Sequence, residues 1–235
     1  MKVAVISDIH GFSIALDRVL ADIETEEGIE RRIAAGDLCE SGPDPRGVLE
    51  RLEIAGVDCL QGNTDRDLAD ESRSSKSARF TLDAIGTAGI EFLAALPFEI
   101  RVTPPQGLSP EDDLLVFHAN PFDQDVALRP DASDQEIGSI LGDTQAAVLA
   151  FGHIHIAYMR WIGMQLLVDV SAVGNPKDGD LRCRWGLFSW EETQRCWNAE
   201  LRYVDYPLEE TIAQIKASNV PNPKKLIDKL QRASY

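Results

Sequence analysis

Three short apolar segments in the first third of the chain are each followed by a helical pattern, and this alternation restricts the fold more than any other feature. The segments are residues 3–7, 31–35 and 57–61, and each ends in glycine or polar residues. Such strand–helix units predict a parallel sheet, in which ligands bind outside the carboxyl ends of the strands. The first helical pattern begins at Ser13, which we expect to be the N-cap. We therefore expect a functional site where these three strands end.

The second half of the chain consists mainly of short β-rich segments. They are residues 99–102, 114–118, 147–152, 158–162, 165–170, 186–190 and 196–204. Tight turns join several of these segments, so we predict antiparallel hairpins that pack on the first sheet. The stretch from Leu208 has a helical pattern that residues 221–223 interrupt. Because 235 residues without a repeat or a low-complexity tract suit one compact unit, we predict a single α/β domain over residues 1–235.

The charge balance restricts the partners of the chain. There are 23 Lys and Arg residues against 39 Asp and Glu, which gives a formal net charge of −16. Nucleic acids and anionic membranes need clustered basic residues, so we expect neither a large nucleic acid nor a membrane as a partner. The first apolar run is too short for a signal peptide, and no stretch approaches the ~20 apolar residues of a membrane span. With four cysteines at no metal-binding spacing, we expect a cytoplasmic protein with reduced thiols, and the oligomeric state stays open.

Five short segments concentrate residue types that bind metals. They are residues 8–10, 36–37, 62–65, 118–120 and 152–155, each at the end of a predicted strand. All four histidines of the chain lie in these segments, namely His10, His118, His153 and His155. Each segment alone could be a turn or hold a hydrogen-bonded core histidine, but their concentration predicts one site. His153 and His155 would share one face of a strand, or they would converge from an extended loop.

In their order and spacing, these segments resemble the pattern of the calcineurin-like metallophosphoesterase superfamily, in particular its small bacterial phosphodiesterase or phosphatase type. That pattern is Asp-x-His, Gly-Asp, Gly-Asn-His-Asp or -Glu, a lone His, and Gly-His-x-His. The resemblance runs from Asp8 to about Arg182, and residues 173–180 look like the loop that closes the site. It implies an α/β fold in which two mixed β-sheets, flanked by helices, form a four-layer αββα sandwich. It also implies hydrolysis of phosphoesters.

The resemblance further implies a dinuclear metal centre. One metal ion would be bound by Asp8, His10 and His155 and the other by Asn63, His118 and His153, with Asp37 bridging the two. Carboxylate, imidazole and amide ligands without thiolate suit two divalent transition-metal ions, Mn first, with Fe, Zn, Ni or Co as alternatives. Two such ions can share a bridging hydroxide, which would be the nucleophile. The charge of the two metal ions would exceed that of the ligand carboxylates, so the site itself could attract a small phosphoester. The acidic remainder of the chain would still repel a large nucleic acid.

The expected catalytic residues follow from the same resemblance. They are Asp37, Asn63, Asp65 and His118, and the expected substrate-binding residues are Thr64 and Arg66. Two of these assignments have an alternative: Asp65 could orient a histidine or cap a turn, and Arg66 could bind substrate or be solvated or paired at the surface. Glu40 stands where Asp is commoner, and we expect its side chain behind the metal ligands or facing solvent.

Thr64 replaces the histidine that follows Gly-Asn in most of the family. A threonine hydroxyl can donate a hydrogen bond, but it cannot act as a general acid near neutral pH. We therefore expect either substrates with good leaving groups or a proton delivered by water. Small phosphodiesterase-type members of the family often lack this histidine, so the resemblance implies hydrolysis of small phosphodiesters, with a phosphomonoesterase of the nucleotide or protein phosphatase kind as the alternative. A second alternative is a non-catalytic interaction scaffold, because the family includes a retromer subunit of that kind.

Overall fold

A computed structural model describes residues 1–234. The strands in chain order are β1 (Lys2–Ile6), β2 (Ile29–Ala34), β3 (Asp58–Cys59), β4 (Glu99–Val102), β5 (Leu114–Phe117), β6 (Val148–Phe151), β7 (Tyr158–Ile162), β8 (Gln165–Asp169), β9 (Cys183–Glu191) and β10 (Cys196–Val204). The helices are α1 (Ser13–Thr25), α2 (Pro45–Ile54), α3 (Asn63–Ala69), α4 (Lys76–Ala95), α5 (Asp134–Leu141), α6 (Leu208–Ala217) and α7 (Pro223–Arg232). A short 3-10 helix spans Pro110–Asp112.

The strands form two mixed five-stranded sheets. The first has the order β10-β9-β1-β2-β3, in which β1, β2 and β3 are parallel and β9 and β10 are antiparallel. The second has the order β4-β5-β6-β8-β7, in which β5, β6 and β8 are parallel. The outer strands β4 and β7 pair antiparallel with their neighbours. The predicted fold class is therefore confirmed, including the parallel pairing of the first three strands.

The prediction of antiparallel hairpins for the second half was only partly right. β4–β5, β7–β8 and β9–β10 are hairpins, but β9–β10 extends the first sheet instead of packing on it. β5 and β6 are parallel because α5 crosses between them, and no helix was expected there. A capping box precedes α5, since Ser133 Oγ accepts from the backbone N–H of Glu136 and the Glu136 side chain accepts from the backbone N–H of Ser133.

Alternating side chains of β1 show how the layers are arranged. Val3 and Val5 lie in an apolar cluster between the two sheets, whereas Ala4 and Ile6 lie in a cluster under the helices of the first sheet. A third cluster, which includes Leu141, joins α5 to the outer face of the second sheet. The layers are therefore helices, sheet, sheet and helix, as the four-layer sandwich requires.

Ser13 is the first residue of α1, not its N-cap, which corrects the prediction for this position. Its hydroxyl donates to Asp44 Oδ2 at 2.6 Å, so it ties α1 to the start of α2. Within residues 1–234, no helix has the length and apolarity that crossing a membrane requires.

Candidate metal centre

The five segments with metal-binding residue types meet at the carboxyl ends of strands from both sheets. Asp8 follows β1, Asp37 follows β2, and Asn63 begins α3 just after β3. His118 follows β5, and the pair at 153 and 155 follows β6. Because parallel strands end at a common sheet edge, residues that are far apart in sequence come together there.

The backbone at this edge is unusual. Five residues of the candidate ligand set have left-handed φ angles between 51° and 75°: Asp8, His10, Asp37, His153 and His155. Non-glycine residues adopt this conformation at a cost and mostly where function requires it. Close packing also explains Gly152, since a Cβ there would collide with Ser7 Oγ and Asp8 Oδ2.

His153 and His155 lie in a loop, and the strand alternative for this pair is wrong.

Asp8, His10 and His155 form what we call the inner cluster. His10 Nε2 lies 3.2 Å from His155 Nε2, and Asp8 Oδ1 lies 3.1 Å from His155 Nε2 and 3.6 Å from His10 Nε2. His10 Nδ1 bonds the carbonyl of Glu40 at 2.9 Å, and His155 Nδ1 bonds the carbonyl of Asn175 at 2.5 Å. Because a carbonyl only accepts, each Nδ1 carries a proton, and the two Nε2 lone pairs of neutral rings face each other.

Asn63, His118 and His153 form the outer cluster. His118 Nε2 lies 3.0 Å from Asn63 Oδ1 and 3.1 Å from His153 Nδ1. The far nitrogens again donate to carbonyls: His118 Nδ1 to Ala35 at 2.8 Å and His153 Nε2 to Asp125 at 3.1 Å. In the outer cluster, too, the ring nitrogens that face each other are free of the proton. On His153 the free nitrogen is Nδ1, whereas on the other three histidines it is Nε2.

Asp37 lies between the two clusters. Its Oδ2 is 3.5 Å from His10 Nε2, and its Oδ1 is 3.5 Å from His118 Nε2. The backbone N–H of Thr64 donates to Oδ1 at 2.9 Å and holds the carboxylate in this position. One carboxylate oxygen thus faces each cluster, which is the geometry that a bridging ligand needs.

The histidine pKa values differ within each pair. Burial alone would lower the pKa of His10, but the neighbouring carboxylates outweigh burial and raise it. The pKa of His118 is raised in the same way. Burial lowers the pKa of His155 and, together with the charge of His118, that of His153. The carboxylates that raise the pKa of His10 and His118 therefore favour positive charge at both clusters.

The clusters fit divalent metal ions on these observations. Asp8 Oδ1 is fully buried, and within residues 1–234 no group makes a hydrogen bond of good geometry to it, although His155 Nε2 is nearby. A buried carboxylate oxygen without a hydrogen bond is costly unless a cation binds it. The ligand atoms are imidazole nitrogens, carboxylate oxygens and one amide oxygen, which suit Mn, Fe, Co, Ni or Zn.

The hydrogen bonds of the Asp65 carboxylate among residues 1–234 all come from backbone N–H groups. Its Oδ2 accepts from the backbone N–H groups of Asp37 at 2.7 Å and Gly62 at 3.0 Å, and its Oδ1 accepts from Leu38 at 3.0 Å. Burial and the charge of Asp37 raise the pKa of Asp65 to about 7. These contacts agree with the turn-capping alternative.

The two expected substrate-binding residues differ in how free their side chains are. Thr64 is buried, and its Oγ1 has no hydrogen-bond partner among residues 1–234. Arg66 is paired, with Asp67 Oδ1 at 2.6 Å and Asp125 Oδ2 at 2.9 Å. Its position therefore agrees with the surface-pair alternative, although Asp125 also backs the outer cluster through its carbonyl.

Glu40 and Lys177 extend the site beyond the expected residues. The Glu40 side chain is buried and pairs with Arg73 Nη1 at 2.8 Å, so it does not face solvent. Lys177 is half-buried, and its backbone N–H donates to the carbonyl of His155 at 3.0 Å. No role was predicted for Lys177, but its place in the loop expected to close the site was a usable signal.

The sequence matches the family described as the calcineurin-like phosphoesterase superfamily domain over residues 1–189. Because the match covers most of the chain, the chain belongs to this superfamily of phosphoesterase hydrolases that use divalent metals. The recognition made from the five segments is therefore confirmed.

Individual relatives are similar to this chain over nearly its full length. Protein MJ0912 of Methanocaldococcus jannaschii is 24% identical in an alignment of length 243 that covers 93% of each chain. The metallophosphoesterase from Sphaerobacter thermophilus has a TM-score of 0.76 at 18% identity, covering 99% of both chains. Protein PH1004 from Pyrococcus horikoshii OT3 has a TM-score of 0.79 at 20% identity, covering 97% of both. At such identities the solved structures show the fold.

Proposed function

We propose that this protein is a dinuclear metal-dependent phosphoesterase that hydrolyses small phosphodiesters. The observation that carries the proposal is the pair of ligand clusters, each with lone pairs converging on one point, joined by the Asp37 carboxylate. The inner cluster would bind one divalent ion and the outer cluster the other. Manganese is the first candidate, with Fe, Zn, Ni or Co as alternatives.

The chain contributes ligand orientation and charge to this reaction. Two divalent ions, when bound, would supply an activated water at neutral pH and would neutralise the developing charge of an in-line displacement. Carbonyls behind the histidines fix each ring, and such contacts behind a ligand set its tautomer and basicity. Asp65 holds the backbone of Asp37 in its left-handed conformation through a direct hydrogen bond.

The preference for diesters rests on position 64. Thr64 stands where a histidine acid occurs in most of the family, and all four histidines of the chain are already in the two clusters. The Thr64 side chain is buried, and its hydroxyl has no hydrogen-bond partner among residues 1–234. A site without an acid favours substrates whose leaving group needs no proton. The step from this site to diesters rests on the resemblance to small phosphodiesterase-type members, which often lack the same histidine.

Charge and chain length support two further parts of the proposal. The net charge of −16 would repel long polyanions and anionic membranes, so we propose a small phosphoester as the partner.

The residues beyond the family match also belong to the domain in this proposal. Leu230 of α7 is buried, and the backbone N–H of Gly179 donates to the carbonyl of Ala233 at 2.9 Å.

Turnover of two aryl esters tests the proposal. Protein loaded with Mn should hydrolyse bis(p-nitrophenyl) phosphate faster than p-nitrophenyl phosphate. A much faster monoester rate would instead favour the phosphatase alternative. Absence of bound metal together with absence of both activities would favour the scaffold alternative.

A further inference from the structure

Helix α7 is strongly basic, whereas the chain as a whole is acidic. Lys224, Lys225, Lys229 and Arg232 lie on it against a single acid, Asp228. The whole chain has 16 more acidic than basic residues. We call these four cations the α7 basic face. A local reversal of charge of this kind concentrates anions near it.

The packing of α7 directs these cations outward. Leu226 and Leu230 are 9% and 1% exposed and pack in the helix layer of the first sheet. Positions 225, 228, 229 and 232 are three or four residues apart, so they share one side of the helix. Together they line a surface pocket of about 380 Å³.

Among residues 1–234, the α7 basic face has no ion-pair partner. Within residues 1–234, no carboxylate lies within ion-pair distance of any of its four cations. By contrast, Arg66 contacts two carboxylates, and so does Arg73. Among the described residues that line the pocket, Asp228 is the one acid against three cations, so these side chains carry an excess of positive charge.

Two backbone hydrogen bonds connect α7 to the inner cluster. Gly179 N–H donates to Ala233 at the end of α7, and Lys177 N–H donates to His155. Burial lowers the pKa of Lys177, the charge of Lys229 lowers it further, and the charge of Asp8 raises it. The Lys177 ammonium thus lies in the field of both the metal centre and the basic helix. Lys177 is therefore within electrostatic reach of both Asp8 of the inner cluster and Lys229 of the α7 basic face.

We propose that the α7 basic face and Lys177 bind a second phosphate group of the substrate, next to the phosphodiester at the metal centre. This inference rests on the proposed function and narrows the substrate class to phosphodiesters that carry a further phosphate. Lysine ammonium groups are compact, strongly hydrated charges that suit phosphate oxygens without requiring a fixed geometry. The acidic remainder of the surface repels the same group, so productive orientation is favoured.

Two substrates that differ by one phosphate test this proposal. They are thymidine 5′-(p-nitrophenyl phosphate) and its 3′-phosphorylated form, which share one leaving group. Wild-type protein should have the higher kcat/KM with the 3′-phosphorylated ester. In Lys225→Gln/Lys229→Gln, the ratio of the two kcat/KM values should fall about tenfold, since each charge near a phosphate contributes a factor of a few. The charge-matched control Lys216→Gln/Arg129→Gln, outside the pocket, should keep the wild-type ratio.

Equal kcat/KM for the two esters in the wild type would overturn the proposal, and so would a ratio that the pocket variant leaves unchanged. Turnover of neither ester would count against the proposed function, and a binding measurement then decides the present inference. Tripolyphosphate should bind the metal-free wild type at low salt and bind the pocket variant at least about fivefold more weakly. No binding, or equal binding, would overturn the proposal. The wild type could instead bind anionic lipid vesicles, and Lys225→Gln/Lys229→Gln could lose this binding while it binds tripolyphosphate as the wild type does. That result would also overturn the proposal and assign the α7 basic face to a membrane surface.

Discussion

The two ligand clusters use similar side chains but differ in their access to solvent. In the inner cluster, the exposed fractions are 0%, 7% and 2% for Asp8, His10 and His155. In the outer cluster, His118 is equally buried, but Asn63 and His153 are only half-buried. The inner cluster is thus enclosed by the protein, whereas the outer cluster opens toward solvent.

The groups behind the histidines differ in the same way. His155 is backed by the carbonyl of the buried Asn175, whereas His153 is backed by the carbonyl of Asp125, whose side chain is 54% exposed. Enclosed ligand side chains are already ordered, so they lose less conformational entropy when a metal ion binds. Water also competes less for the metal at an enclosed site than at an exposed one. We therefore infer that an inner metal ion is held more tightly, and that exchange and substrate access occur at the outer cluster.

The largest effect should come from Asp37, which faces both clusters. Asp37→Asn removes the negative charge that would bridge two ions, so we expect kcat for an aryl diester to fall about 10³-fold or more. Bound metal per chain, measured by mass spectrometry, should fall below two. The control Asp58→Asn changes an exposed partner of Arg31 and should leave both values unaltered. Two bound metals and full activity in Asp37→Asn would show that this carboxylate does not bridge.

Removing one histidine from each cluster should separate the two sites. His153→Ala should weaken one metal site at least about 100-fold, because even contacts behind a ligand are worth about 10–100-fold in affinity. His155→Ala should impair the inner site instead. Dialysis of the wild type against a chelator should release one metal before the other, and His153→Ala should lack the fast-released metal. Simultaneous release in the wild type would contradict the difference between the clusters.

A smaller effect is expected at Thr64, beside the outer cluster. Thr64→His would supply a general acid, so the rate with alkyl leaving groups should rise about 10–100-fold relative to nitrophenyl esters. Thr64→Val is the matched control, since it removes the hydroxyl but keeps the shape and adds no acid. An equal rise for both ester types, or no rise, would show that position 64 does not assist leaving-group departure.

The smallest effect on catalysis is expected at Arg73. This side chain pairs with the buried carboxylate of Glu40, whose carbonyl backs His10. Arg73→Gln should lower the free energy of unfolding by roughly 1–3 kcal/mol, because a buried carboxylate loses its charged partner. The rate should change little. Denaturant unfolding measures the loss, and a second change, Glu40→Gln, should restore part of it.

Arg46→Gln is the control for Arg73. Arg46 and its partner Glu50 are 72% and 61% exposed, so this change should cost less than about 0.5 kcal/mol. A loss of stability as large as that of Arg73→Gln would contradict the role assigned to the buried pair.

The sequence was informative wherever a local pattern determined the structure. β4, β7 and β10 have the predicted bounds, because alternation and turn residues define them without help from distant contacts. β3 is shorter than predicted, at two residues, since pairing with β2 alone sets its length. The helix α5 was missed although its capping box was readable, and with it the parallel order of the second sheet.

For the site, residue types and their places after strands predicted which side chains converge. Their roles depended on contacts across the fold, which local patterns do not contain. Asp65 could not be assigned to turn capping until three backbone N–H groups were found around it. Lys177 gained significance only from its contact with His155 and its nearness to α7.

An anomalous difference map from crystals of the manganese-loaded protein would locate the metal ions themselves. The dinuclear assignment predicts two peaks per chain. One should lie among the ligand atoms of Asp8, His10 and His155 and the other among those of Asn63, His118 and His153, with Asp37 contacting both. A single peak, or peaks away from these residues, would contradict the dinuclear centre.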